Sequence, residues 1–153
     1  MMKPMRFLGL WLLATALALG GIARAQAAEP PPLSSQEIDA LVAPIALYPD
    51  GLLSQVLMAS TYPLEVVSAA RWSKAHPEAK GDAALKLVEN EPWDVSVKSL
   101  VAFPNVLEMM NEKLDWTQKL GDAFLGQQKD VLDSVQRMRK LAKDNGNLES
   151  NPQ

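Results

Sequence analysis

Among its 153 residues the chain has no cysteine and one histidine, His76. Without cysteine there is no disulfide, no thiolate nucleophile and no lipid anchored at a leader cysteine. A lone histidine excludes a multi-histidine metal site or a histidine–cysteine pair within one chain. It precedes Pro77 on a polar stretch, where capping the end of a helix is the expected role. Ser54, Ser60 and Ser68 stand in neither a Gly-x-Ser-x-Gly elbow nor a Ser-x-x-Lys pair, so they read as small helix-packing residues. No apolar run reaches the roughly 20 residues of a membrane-spanning helix. The expectation is a protein that is not an enzyme, with no catalytic residue, cofactor or metal.

The chain opens MMKPMRFLGLWLLATALALGGIARAQA, with Lys3 and Arg6 ahead of an apolar run from Phe7 to Leu19 and a cleavage site at Ala25-Gln26-Ala27. This is the pattern of a secretory leader occupying residues 1–27, so the processed chain would begin at Ala28 in the periplasm. Removing Lys3, Arg6 and Arg24 from the 15 basic residues leaves 12 against 18 acidic ones, a formal charge of −6. That balance argues against nucleic acid as a partner and against stable membrane association after cleavage. The compartment is oxidising and no disulfide can form, so stability must come from apolar packing.

Residues 28–34, with three successive prolines, read as an extended lead-in. Residues 35–146 read as one all-α, compact domain of six or seven helical segments, and 147–153 as a tail or the start of a linker. Ser34 and Glu37 have capping-box spacing, and a helix of about 35–47 follows, with Pro44 as a kink or split. YPDGLLSQV and YPLEVVSAA share Tyr-Pro, two variable residues, two apolar residues and a serine or its equivalent spacing. Pro49 and Pro63 suit first helical turns, which places Tyr48 and Tyr62 before two helices expected to pack as a pair. Asp82 and Asp94 are candidate caps, as is Asp115 with Gln118. From Trp116 to Asn145 apolar residues recur at helical spacing, interrupted at Gln128, implying a long C-terminal helix of roughly 45 Å that either bends at Gly121 and Gly126 or projects.

Chemistry without histidine could rest on paired carboxylates cutting glycan, with Asp50 and Glu65 as the candidates and Glu91 and Asp94 as a second set. Charge at the first turn of a helix is the simpler reason for Asp50 and Glu65. Trp72, Trp93 and Trp116, with Tyr48 and Tyr62, fill a core or line a binding groove; two tryptophans exposed beside Glu65 or Asp94 would favour glycan. Leu125, Leu132 and Arg139 lie off the main seam of the long helix and form a second face, suited to self-association or to a partner helix.

The stretch LVAPIALYPDGLLSQVLMASTYPLEVVSAARW, residues 41–72, together with residues 81–139 and GNLES, resembles a group of exported proteobacterial proteins known as domain of unknown function number thirty-three hundred. The resemblance covers nearly all of the processed chain and implies no established reaction, ligand or catalytic residue. It implies importance to the fold for Tyr48, Pro49, Trp93 and Trp116. Members typically continue into segments rich in proline, tyrosine and valine, so the chain reads as a short or a truncated member. The leading expectation is a protein-interaction or structural module of the cell envelope. Peptidoglycan or carbohydrate binding or hydrolysis comes next, then carriage of a small apolar ligand.

Overall fold

The computed structural model describes residues 31–146. The leader, the start of the lead-in and the tail lie outside the described residues. Among the described residues all regular structure is helical: α1 Ser35–Val42, α2 Asp50–Ala59, α3 Pro63–Ala75, α4 Gly81–Leu87, α5 Val95–Leu100, α6 Pro104–Glu112, α7 Leu114–Gly126 and α8 Gln128–Asp144. The all-helical reading and the long C-terminal helix are therefore correct, and the count is eight rather than six or seven.

The extra element has a physical cause in the C-terminal third. Gln127, at φ −137° and ψ 47°, breaks the expected continuous helix into α7 and α8. Gly121 does not bend it. A Cβ on Gly121 would lie 2.2 Å from the Ser60 carbonyl oxygen, so this glycine exists to let α7 rest directly on the end of α2. The first helix likewise stops at Val42, short of the expected 47, because Pro44 has no amide to donate and its ring conflicts with the preceding turn. Turn structure then carries Ile45 and Ala46 into the core, both about fully buried.

Capping decides the other boundaries. Ser34 and Glu37 form the expected reciprocal box: the Ser34 amide donates to Glu37 Oε2 at 2.8 Å and the Glu37 amide to Ser34 Oγ at 3.4 Å. Asp94 caps α5, its Oδ1 accepting from the Ser96 amide at 2.9 Å. Pro63 and Pro104 open α3 and α6, whereas Pro49 stands one position outside α2. Asp82 and Asp115 are not caps. α4 begins after Lys80 and α7 after Lys113, which places both aspartates in the first turn, where the helix dipole favours them.

Packing follows the apolar stripes. α2 lies chiefly on α5 and then α7, α3 lies on α6, and α1 lies against α8 and α7. The two Tyr-Pro helices thus pack on other partners rather than chiefly on each other, because their stripes face a shared core. Val56, Leu57, Val66, Val97, Leu100, Leu107, Met110 and Leu120 form its centre. Each such aliphatic side chain contributes about 1.5–3 kcal/mol by leaving water.

Helix α8 is held differently. Of its seventeen residues only Val131, Ser134 and Val135 are buried. Polar bonds to the N-terminal third of the chain complete its docking. Gln127 pairs with both backbone groups of Leu33, accepting from the amide at 2.7 Å and donating to the carbonyl at 3.0 Å. Ser134 and Arg137 both donate to Asp39. Arg139 donates to the carbonyls of Ala46 at 2.7 Å and Tyr48 at 2.8 Å, and to Asp50 Oδ1 at 2.6 Å.

Candidate functional site

The starts of α3 and α5 meet through one bond. Glu65, in the first turn of α3, reaches across so that its Oε2 accepts from the backbone amide of Asp94 at 2.6 Å. The Asp94 carboxylate is held by the Ser96 hydroxyl at 2.5 Å and by the Ser96 amide, with the Tyr62 side chain beside it. Leu64 and Val95 flank this bond in sequence, one on each helix, and are 79% and 72% exposed. Pro63, next to Leu64, lines an open depression of about 420 Å³ with Ser60, Thr61, Gln118, Gly121, Asp122 and Leu125. Leu125 is 72% exposed. The end of α2, the start of α3 and α7 thus border one depression lined mostly by polar residues, while the exposed Leu64 and Val95 sit next to the bond between α3 and α5.

Only part of the expected surface gathers here. Tyr62 borders it, whereas Tyr48 packs against the core and gives its carbonyl to Arg139. Trp72, Trp93 and Trp116 are half-buried and packed on the core. Trp72 stacks on His76 with ring centroids 4.3 Å apart, and its backbone carbonyl accepts from His76 Nδ1 at 2.8 Å. Trp116 donates its indole N–H to the Leu41 carbonyl at 2.9 Å. Leu125 and Leu132 stand on different helices because Gln127 separates them, so they do not share one helix face. Arg139 is spent on α8 docking. Leu64 and Val95 carry no sequence signal, each being a lone apolar residue in the first turn of its helix.

The carboxylates are engaged one by one. Asp50 is ion-paired with Arg139, while Glu65 holds the Asp94 amide, so the pair considered for glycan chemistry serves two separate structural bonds. No group of three or more His, Cys, Asp or Glu suited to a metal ion occurs among the described residues. No helix among them is long and apolar enough to cross a membrane.

Three carboxyl groups titrate below their ordinary range. The Ser134 hydroxyl and then Arg137 lower Asp39, the Ser96 hydroxyl and amide lower Asp94, and the Ser34 hydroxyl and amide lower Glu37. Each binds its proton more weakly in the folded chain, so unfolding takes up protons as pH falls. Their stabilisation is complete above the ordinary values of 3.8 for aspartate and 4.5 for glutamate, and is lost as pH drops through the lowered folded values. The urea midpoint is expected to hold steady from about pH 7 to about pH 5 and to fall below about pH 4.5. Asp39→Asn should lower the midpoint at neutral pH and flatten the acid decline; an unchanged decline would remove Asp39 from the account.

The fold defines a class: among the described residues, an all-helical module with several exposed apolar side chains. Within that class the chain belongs to the family described as Protein of unknown function (DUF3300), whose model matches residues 34–153. It is similar to the uncharacterized protein YacH of Escherichia coli (strain K12), with 59% identity over 117 residues, 76% of this chain and 19% of YacH. The chain therefore spans about a fifth of the length of that relative. No solved structure matches it.

Proposed function

We propose that the helical region is a protein-binding or structural accessory module of the cell envelope, working without catalysis after export to the periplasm. The observation that carries this reading is the exposure of Leu64 and Val95, each next in sequence to one partner of the Glu65–Asp94 bond that ties α3 to α5. Large apolar side chains held exposed on ordered helices lose little backbone entropy on docking, which favours specific contact with another protein. The leader pattern at residues 1–27 supports the compartment. Similarity to a short part of a much longer relative fits a module that works beside other segments.

In-cell crosslinking of the tagged protein, followed by mass spectrometry, tests the reading. One envelope protein should be captured recurrently, and Leu64→Glu/Val95→Glu should reduce its capture about tenfold or more. Helical circular dichroism of that variant should match the parent. Capture that survives the double substitution, or no enriched protein at all, would sink the proposal.

A further inference from the structure

The break at Gln127 has a second use. α7 ends at Gly126 and α8 begins at Gln128, so one residue joins them. Apolar spacing nevertheless resumes in phase across the junction, with Leu120 and Phe124 before it, Val131 and Val135 after it and only Gln128 interrupting the stripe. In the bent form Gln127 makes no side-chain cap on α8. The first amides of α8 and the last carbonyls of α7 therefore lack the helical partners they would find in each other if Gln127 turned helical. Opposing that change is the bidentate grip of Gln127 on Leu33. Gln127 is both hinge and lock.

Straightening the hinge would carry α8 off its own α1 without unfolding it. Every contact α8 makes with the rest of the chain beyond the hinge would then be offered, unchanged, by a second copy: Asp39 for Ser134 and Arg137, and the Ala46 and Tyr48 carbonyls with Asp50 for Arg139. The buried stripe of Val131 and Val135 would find the same seat. Exchange of an identical element is a low-cost route to a closed dimer, because the interface already exists within each chain. We infer that α8 can exchange between two copies through the Gln127 hinge, giving a reciprocal dimer in which each α8 docks on the partner's α1. This does not depend on the envelope partner proposed above, since the α3–α5 surface takes no part in it.

The absence of cysteine makes the test direct. A chain starting at Ala28 keeps the unit from Pro31 onward, which holds together by its own contacts. Asp39→Cys and Ser134→Cys place thiols at a direct contact between α1 and α8, so mild oxidation joins them as a disulfide with no reagent entering the buried site, and gels are run without reductant. Gln127→Ala, added to this pair, removes the lock and raises helix propensity. After refolding from urea at high protein concentration, light scattering should show a dimer fraction about tenfold or more above the chain that retains Gln127. In denaturing gels the crosslinked dimer should run as two covalently joined chains, since each bridge spans both. A Gln127→Ala chain that stays monomeric at the highest concentration overturns the inference. So does a dimer whose bridges all lie within single chains. Leu64→Glu/Val95→Glu should leave the exchange intact, so failure of the envelope-partner reading and failure of this one are read separately.

Discussion

Gly121→Ala is expected to lower the thermal midpoint by about 10 °C, a loss of about 2–3 kcal/mol for a domain of this size. The added methyl would lie 2.2 Å from the Ser60 carbonyl oxygen, 2.7 Å from its carbon and 3.1 Å from the Thr61 nitrogen. All three atoms are backbone, so no side chain can swing aside and α7 must move off the end of α2. In a helix interior alanine is otherwise favoured over glycine by about 1 kcal/mol. The steric cost outweighs that gain because the contact is with main chain in a packed core. Gly126 provides the control, since nothing lies within 4 Å of its added Cβ. Gly126→Ala should be neutral or slightly stabilising, and calorimetry of both variants would decide. Equal midpoints for the two would refute the close helix crossing.

The second large effect concerns Arg139. Its pair with Asp50 is the obvious interaction, yet the Asp50 side chain is 88% exposed and that of Arg139 only 24%. An exposed ion pair contributes about 0–1 kcal/mol, so Asp50→Asn should cost about 0.5 kcal/mol. The bonds to the Ala46 and Tyr48 carbonyls are another matter. They satisfy the turn that follows α1, where Pro44 prevents the helix from continuing, and losing them leaves two acceptors short. Arg139→Ala should therefore cost about 2–3 kcal/mol, several times the effect of Asp50→Asn. Arg139→Lys should recover less than half, because an ammonium cannot serve three acceptors arranged around a planar fork. Urea unfolding of the three variants measures this directly. If Asp50→Asn equals Arg139→Ala, the ion pair rather than the carbonyls carries the docking.

These two residues show where sequence reasoning stops. The apolar stripes were legible because helical periodicity is local: Val56 and Leu57, Val97 and Leu100, Leu107 and Met110 fall into the core as their spacing demands. The Ser34–Glu37 box and the Asp94 cap were legible for the same reason, as each bond closes within three residues. Gly121 could be read only as a flexible point in a helix, since its neighbour Ser60 lies about sixty residues away and no local pattern announces a close crossing. Arg139 looked like a free charge on a second face; its acceptors are backbone carbonyls, which every sequence has everywhere. Gly126, which ends α7, marked the place of the bend, but that Gln127 itself leaves the helix was not legible, because glutamine is an ordinary helix former. Leu33, to which it binds, is remote along the chain.

The sequence by itself determined the helical class, the apolar stripes that build the core, two of the caps and the expectation of export, because each depends on composition or on spacing within a few residues. Membership of the family was legible at the same level, in long stretches such as residues 41–72. Tertiary structure alone decided that α8 is a separate helix clasped to the first third of the chain, that Glu65 ties α3 to α5, and that Leu64 and Val95 stand exposed at that junction. Those outcomes rest on contacts between residues about 29 to 95 positions apart, and on the competition between one glutamine's helical preference and the two backbone bonds it gains by leaving the helix.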